Sequence, residues 1–368
     1  MKNVDIIYGK YLAEDNKTKT IGGVQTYITD LSEVITEMGG KVRIVQFSKE
    51  DFQCELSENV SVEGFKINGK KNTERYQKLY DAAVHSRGKE QAITIFATDT
   101  IIPKKVNGIC IAIQHGIFWD IPRAANRSLV RQVASRAVSA YKIVKRLTNV
   151  NAVVCVDYNF LNWYRTQVNR VVGYASVIPN YTRIAPEFQK PEDKVNIIFA
   201  RRLFDYRGTR VFTEAIKKIL DENKNIAVTI AGSGPDEDWM KQQLDKFENV
   251  SFIHYESHES LDIHKDKHIA VIPTVGSEGT SLSLLEAMSA QCAAVCTDVG
   301  GMTNIVLNGY NGLMVSSGDV DQLYAAIKRL VDKPQLRKDI AKNGYETVKQ
   351  SFSHERWVDE WKNVLKLF

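Results

Sequence analysis

Short, unbroken apolar runs recur along this chain of 368 residues, and they limit its fold more than any other feature. VDIIYG at 4–9, VRIVQF at 42–47, AITIFA at 92–97, GICIAIQHG at 108–116 and NAVVCVD at 151–157 mark the first half. NIIFA at 196–200, IAVTIAGSGP at 226–235, VSFIHY at 250–255, IAVIPT at 269–274 and Ala293–Asp298 mark the second. Runs of this length without alternation read as strands buried on both faces. Parallel sheets covered by helices on both sides bury their strands in this way. Between the runs lie helical patterns. In GGVQTYITDLSEVITEMGG (22–40), Val24, Tyr27, Ile28, Leu31, Val34, Ile35 and Met38 follow a 3.6-residue period, and Gly39-Gly40 ends it. VIPNYT at 177–182 closes this half, TRIAPEFQKPEDK reads as a linker, and strand–loop–helix begins again at 196.

The length is comfortable for two domains. The chain therefore reads as α/β, with two doubly wound Rossmann-like domains over 1–180 and 190–352. The stripe Trp357, Trp361, Val364, Leu365 and Phe368 runs along a last helix, 353–368. Strand–Gly-loop–helix opens the chain, but no G-x-G-x-x-G follows, which argues against a dinucleotide site.

Charge is unevenly placed. Residues 1–180 carry 25 Lys and Arg against 17 Asp and Glu, whereas the whole chain has a net charge of +5. A basic first half suits an acidic partner on that side. IPRAANRSLVRQVASRAVSAYKIVKRLT (121–148) holds seven basic residues and no acidic one, with Arg123, Arg127 and Arg131 every four residues. Val130, Ala134, Ala137, Tyr141 and Val144 form a neighbouring stripe. This is either an anionic membrane contact or acceptor phosphate site, or a solvated helix packed on its sheet. It lacks interleaved aromatics, and no nucleic-acid recognition motif is present. Five cysteines show no paired framework, and Cys110, Cys155 and Cys296 fall in apolar strands. A reducing cytoplasm fits, with no signal-peptide core and no apolar run long enough to span a bilayer.

The stretch EGTSLSLLEAM at 278–288 carries the chemistry. It follows the run IAVIPT, so Glu278 is expected in the loop at a strand's carboxyl end, with Glu286 on the helix after it. Ligands of open α/β sheets bind at that edge. The N–H groups of Gly279, Thr280 and Ser281, with Leu282 opening the helix, suit a phosphate. A Glu before a helix is also a common cap or dipole partner. Arg202 and Arg207, in RRLFDYRG (201–208), flank another helix start and suit a pyrophosphate. Asp236-Glu237-Asp238 and Asp319-Val320-Asp321 match a D-x-D pattern, but each sits at a helix start, where Asp is a routine cap. They are not read as metal ligands.

The run from 278 onward resembles the retaining family 4 glycosyltransferases (glycosyl transferases group 1). Its pattern is E-G-x-x-x-x-x-x-E-A-M, a strand, D-x-G-G at 298–301, and N-G-x-x-V at 311–315. The family's G-R-L-x-x-x-K-G stands here as R-R-L-F-D-Y-R-G, with Arg201 for the glycine and Arg207 for the lysine. Asn304 stands where the family often has Glu. The resemblance is strongest over 196–330. It implies the GT-B architecture, two domains facing across a cleft, with the final helix packing back on the first domain. It implies retaining transfer of a hexose from a nucleotide-diphosphate sugar to a hydroxyl of a glycan or lipid-linked acceptor, in bacterial surface polysaccharide or lipopolysaccharide synthesis, with no metal required and a peripheral position on the cytoplasmic face of the inner membrane.

The resemblance also implies roles. Arg202 and Arg207 stabilise the leaving diphosphate, Glu286 takes the ribose hydroxyls, and Glu278 binds the donor sugar. His115 contacts the transferred sugar, although a lone His is more often structural. Gly22 and Gly23 bring backbone N–H groups to the donor phosphates or acceptor, unless they only make a tight turn. Gly232, in AGSGP, marks the family's next landmark. Two other readings stay open: a nucleotide-sugar 2-epimerase of the same architecture, and a non-catalytic partner that binds membrane or glycolipid.

Overall fold

The structure, a computed structural model, describes residues 3–20, 22–117, 128–168, 173–276 and 278–368. It divides into two compact units. One comprises Met1–His115, Ser128–Ile178 and Val358–Phe368, and the other Gly116–Arg127 and Pro179–Trp357.

In the first unit the strands are β1 (Asn3–Ile7), β2 (Val42–Phe47), β3 (Phe52–Ser57), β4 (Val60–Phe65), β5 (Ala92–Phe96), β6 (Cys110–Gln114), β7 (Ala152–Cys155) and β8 (Tyr174–Val177). They form one sheet in the order β3-β4-β2-β1-β5-β6-β7-β8. Only the edge strand β3 is antiparallel to its neighbour. Its sequence FQCELS alternates, and its outer residues are exposed, as suits an edge rather than a centre. The helices are α1 (Gly23–Glu37), α2 (Asn72–Arg87), α3 (Leu129–Leu147) and α4 (Tyr158–Gln167). On α1 the expected face is buried at Tyr27, Ile28, Leu31, Val34 and Ile35, and Gly39 turns the chain out at φ 78. Of the three repeated arginines, Arg131 lies on α3, while Arg123 and Arg127 fall outside the described residues.

The second unit carries β9 (Val195–Ala200), β10 (Ile226–Ala231), β11 (Val250–Ile253), β12 (Ile269–Ile272), β13 (Ala293–Thr297) and β14 (Leu313–Val315). All six are parallel, in the order β11-β10-β9-β12-β13-β14. Its helices are α5 (Thr209–Glu222), α6 (Glu237–Leu244), α7 (Leu282–Ser289), α8 (Val320–Asp332) and α9 (Pro334–Ser351). Successive residues of β9 enter opposite cores. Ile197 and Phe199 pack with Phe212 of α5 and Leu323 of α8, whereas Ile198 and Ala200 pack with Leu284 and Met288 of α7. Strand order reverses between β9 and β12. A sheet wound this way leaves a crevice at the reversal, because the following chains leave toward opposite faces.

The last helix, α10 (His354–Leu365), is shared between the units. Within the first unit, Trp361 is fully buried and its Nε1 donates to Tyr27 Oη at 2.8 Å. Within the second, Trp357 packs on Tyr181, ring centroids 4.9 Å apart. Among the described residues no helix is long and apolar enough to cross a membrane.

Candidate active site

The two chains leaving the strand reversal carry the charged residues. After β9 come Arg201, Arg202 and a 3-10 turn, Asp205–Arg207; after β12 come Pro273, Thr274 and Glu278. Glu278 Oε2 gathers three donors. Arg201 Nη2 reaches it at 2.6 Å, Arg207 Nη1 also donates to it, and Thr274 Oγ1 donates at 3.1 Å. Thr274 Oγ1 in turn accepts from Arg201 Nη1. Among the described residues no hydrogen bond reaches Oε1. Burial works against the charged form of Glu278, yet Arg201 and Arg207 hold its carboxyl below the usual range, so it is ionised at neutral pH. The carboxylate is thus fixed through Oε2.

The three arginines differ in surroundings. Arg201 is buried, with 3% of its side chain exposed, and Arg207 keeps 17%. Arg202 is exposed, its guanidinium 5.8 Å from the centroid of Phe204. The expected diphosphate pair is therefore split, with Arg202 exposed and Arg207 half-buried against Glu278. The arginine in the family's glycine position is the one that goes inward.

Two glycines set the backbone. A side chain on Gly232 (φ 132) would overlap the carbonyl of Arg201, and one on Gly300 (φ 55) would overlap the carbonyl of Glu278. Gly301 N donates to that same carbonyl at 3.0 Å. The loops after β10 and β13 thus hold the two charged loops from behind, at distances only glycine permits. Asn304 is exposed at the end of the 3-10 turn Gly300–Asn304.

Gly279, Thr280 and Ser281 lead into α7, whose first residue is Leu282. The N-cap residue Ser281 makes no side-chain cap bond, so the positive end of the helix dipole falls on this loop without a cap from that side chain. Ser281 Oγ is buried with no hydrogen-bond partner among the described residues. Thr280 O accepts from Asn180 Nδ2 at 2.9 Å, which ties the segment after β8 to this loop. One turn in, Glu286 is half-buried. Burial pushes its carboxyl up to about 7, against a hydrogen bond from the Ser260 side chain. Tyr255 lies near both Glu286 and Arg201, and burial raises its phenol to about 12.

The expected residues of the first unit are His115, Gly22 and Gly23. His115 directly follows β6, and its Nε2 lies 2.9 Å from Ala97 O. A carbonyl only accepts, so Nε2 carries the proton and Nδ1 is the acceptor nitrogen. Burial pushes the imidazole down to about 4, so it is neutral near pH 7. Tyr27 meets its ring edge-on, centroids 5.2 Å apart. Gly22 caps α1 and Gly23 opens it, again without a side-chain cap. Gly22 has extended backbone, so its place there owes nothing to a left-handed turn.

Of the D-x-D aspartates, Asp319 caps α8 by accepting from Gln322 N at 2.9 Å. Asp236 caps α6 only by position; its carboxylate accepts from Thr209 Oγ1 at 2.5 Å and from Arg210. Thr274, Tyr255 and Ser260 escape sequence reading. Only Thr274 carries a signal, as the polar residue that ends an apolar run.

Residues 180–347 match the family described as Glycosyl transferases group 1. Over 180 residues the chain is 24% identical to the capsular polysaccharide biosynthesis glycosyltransferase CapM of Staphylococcus aureus, covering 48% of this chain and 47% of that one. The chain spans about half the length of the curated relatives it matches. In fold it is similar to sucrose-phosphate synthase from Thermosynechococcus elongatus, with a TM-score of 0.79 at 17% identity over 100% of this chain and 99% of the other. It is also similar to Anabaena HepE in complex with UDP and glucose, with a TM-score of 0.74 at 13% identity over all of both chains. These likenesses show the GT-B fold.

Proposed function

We propose, from the premise that residues 180–347 are a group 1 glycosyltransferase domain, that this chain transfers a hexose from a nucleotide-diphosphate sugar to a hydroxyl of a glycan or lipid-linked acceptor, with retention at the anomeric carbon. The observation that carries the reading is Glu278, ionised and held by Oε2 at the strand reversal, with no hydrogen bond to Oε1 among the described residues. A carboxylate fixed in this way can accept two hydroxyls of a sugar without moving.

The remaining roles follow from charge and position. Arg202 and Arg207, with the N–H groups of Gly279, Thr280, Ser281 and Leu282, take the diphosphate and stabilise the charge that grows on it as it leaves. Buried Ser281 Oγ has a donor to spare for the same oxygens. Glu286 accepts from the ribose, with Tyr255 beside it, and Gly232 keeps the adjoining loop close. That cationic set supplies what a metal ion does elsewhere, so no metal is required. His115, Gly22 and Gly23 are assigned donor contacts on the family resemblance alone, with Nδ1 as the accepting nitrogen of His115. The relative acting in capsule synthesis and the neighbour holding UDP and glucose support surface polysaccharide synthesis with a UDP-hexose.

A peripheral membrane site on α3 completes the reading. Leu129, Val130 and Tyr141 are 75%, 77% and 64% exposed beside Arg131, Arg136 and Lys142, and the helix has no acidic residue. Such a helix suits an anionic leaflet. Five free thiols fit the reducing cytoplasmic side of that membrane. Sedimentation with phosphatidylglycerol vesicles but not phosphatidylcholine vesicles tests this part.

The central reading is tested by thermal shift with UDP, GDP, ADP, CMP and their sugar conjugates, each with and without EDTA. One diphosphate should raise the melting temperature despite EDTA. Product linkage is then read by NMR. Silence from every nucleotide would refute the assignment, and loss of the shift with EDTA would refute metal independence.

A further inference from the structure

Arg201 occupies the position where the resembling sequences carry glycine, and it performs a task that a glycine cannot. It is the most deeply buried of the three site arginines, and it is tied at two atoms, Nη1 to Thr274 and Nη2 to Glu278 at 2.6 Å. Arg207 is tied to the same carboxylate oxygen by Nη1 alone, and it sits on a surface 3-10 turn with its guanidinium 5.0 Å from the Tyr206 ring. Glu278 therefore has two cations on one oxygen. One of them is locked in, and the other has a route to solvent.

Two cations on one carboxylate exceed what its charge requires. Withdrawing the only partner of a buried carboxylate is strongly unfavourable, because the charge is left uncompensated. Withdrawing one of two leaves it paired. We propose that Arg201 is a positioning residue, a standing counter-charge that keeps Glu278 ionised and in place when Arg207 leaves it for the diphosphate of an incoming nucleotide. Arg207 thus has two stations, Glu278 when the site is empty and phosphate when it is filled. Thr274 supports the first arginine in both, since its Oγ1 accepts from Arg201 and donates to Glu278. The proposal rests on the diphosphate reading of this site.

The test uses the full chain and inorganic pyrophosphate, with UDP alongside. In Arg201→Gln, Glu278 keeps Arg207 as its only cation and holds it back. Pyrophosphate binding, measured by calorimetry, should weaken about tenfold, because Arg207 can now leave only by stranding a buried carboxylate without a counter-charge. Arg201→Lys should recover much of that loss. The double variant Arg201→Gln/Glu278→Gln removes the carboxylate that retains Arg207, so it should bind pyrophosphate better than Arg201→Gln alone. A merely structural arginine would give a double variant no better than the single one. With arginine-labelled wild-type protein, the Arg207 side-chain NMR signal should shift on pyrophosphate addition and the Arg201 signal should hold. This second measurement stands even if Arg201→Gln fails to fold. Unchanged binding in Arg201→Gln, no recovery in the double variant, or a shift of Arg201 in place of Arg207 would overturn the proposal and leave the diphosphate site intact. A wild-type protein that binds neither pyrophosphate nor UDP would overturn the diphosphate reading, and this proposal with it.

Discussion

Arg201 Nη2 lies 2.6 Å from Glu278 Oε2, and this pair joins the chain leaving β9 to the chain leaving β12 at the point where strand order reverses. Both side chains are nearly closed to solvent, 3% and 10% exposed. A pair so placed does two things at once. It closes the loops over the strand ends, and it sets the direction in which the free carboxylate oxygen points.

Glu278→Gln should abolish both. The buried arginine then faces an amide in place of its counter-ion, which costs about 3 kcal/mol, the scale for breaking a buried pair from one side. Urea unfolding reads that loss as a lower midpoint with an unchanged slope. Transfer should fall by at least about a hundredfold if the free oxygen orients the reacting sugar. Full activity in a folded Glu278→Gln protein would remove this residue from the site.

Arg202→Ala should separate binding from stability. Its side chain is exposed and lies 5.8 Å from the Phe204 ring centroid, with no ion pair among the described residues, so unfolding should shift by no more than about 0.5 kcal/mol. Nucleotide-diphosphate affinity should drop about tenfold, as expected for one lost charge-assisted contact. A melting point that falls with no change in affinity would reverse the assignment.

Glu286 makes stability and binding pH-dependent in opposite directions. Its folded pKa, about 7, lies above its ordinary value. The stability it contributes is therefore present at acid pH below the unfolded value and lost as pH rises through about 7. Glu286→Gln should flatten that slope in thermal melts. Ribose hydroxyls donate to the ionised form, so UDP should bind more tightly as pH rises across the same range and should release a proton. Calorimetry in buffers of different ionisation enthalpy measures the release, and an equal release in Glu286→Gln would show that Glu286 does not meet the ribose.

Gly300→Ala should damage the site from behind. The residue has φ 55, and a Cβ there would overlap the carbonyl of Glu278. Left-handed strain and the overlap together should cost about 2 kcal/mol. Activity should fall further than stability if Glu278, which that backbone carries, binds the donor sugar as proposed. Unfolding curves and initial rates on the same preparation distinguish the two losses.

Much of this architecture is legible in the chain itself. Runs such as IAVIPT and NIIFA leave no polar face, so they must be buried on both sides, and only a parallel sheet between helices offers that. The spacing of Glu278 and Glu286 follows from one loop and one helix, which local sequence controls. The edge strand β3 and the helix α2 lack such runs. Their residues are half-exposed, and the signal that marks the other elements is correspondingly weak.

The site is different. Arg201 and Arg202 are adjacent residues of the same type, and strand alternation separates their faces without saying which face is closed. That depends on Thr274 and Glu278, more than seventy residues further on, which reach Arg201 only because β12 lies beside β9. The desolvation of Glu286 by its surroundings, and the burial that leaves His115 neutral, likewise arise from neighbours far away in the chain. Local periodicity is enough to say which strands form, where the loops fall and which residue types reach the sheet edge. Packing across the sheet decides which arginine is buried, which oxygen of Glu278 the arginines hold and how the carboxylates titrate, because Coulomb and desolvation energies depend on distances through space.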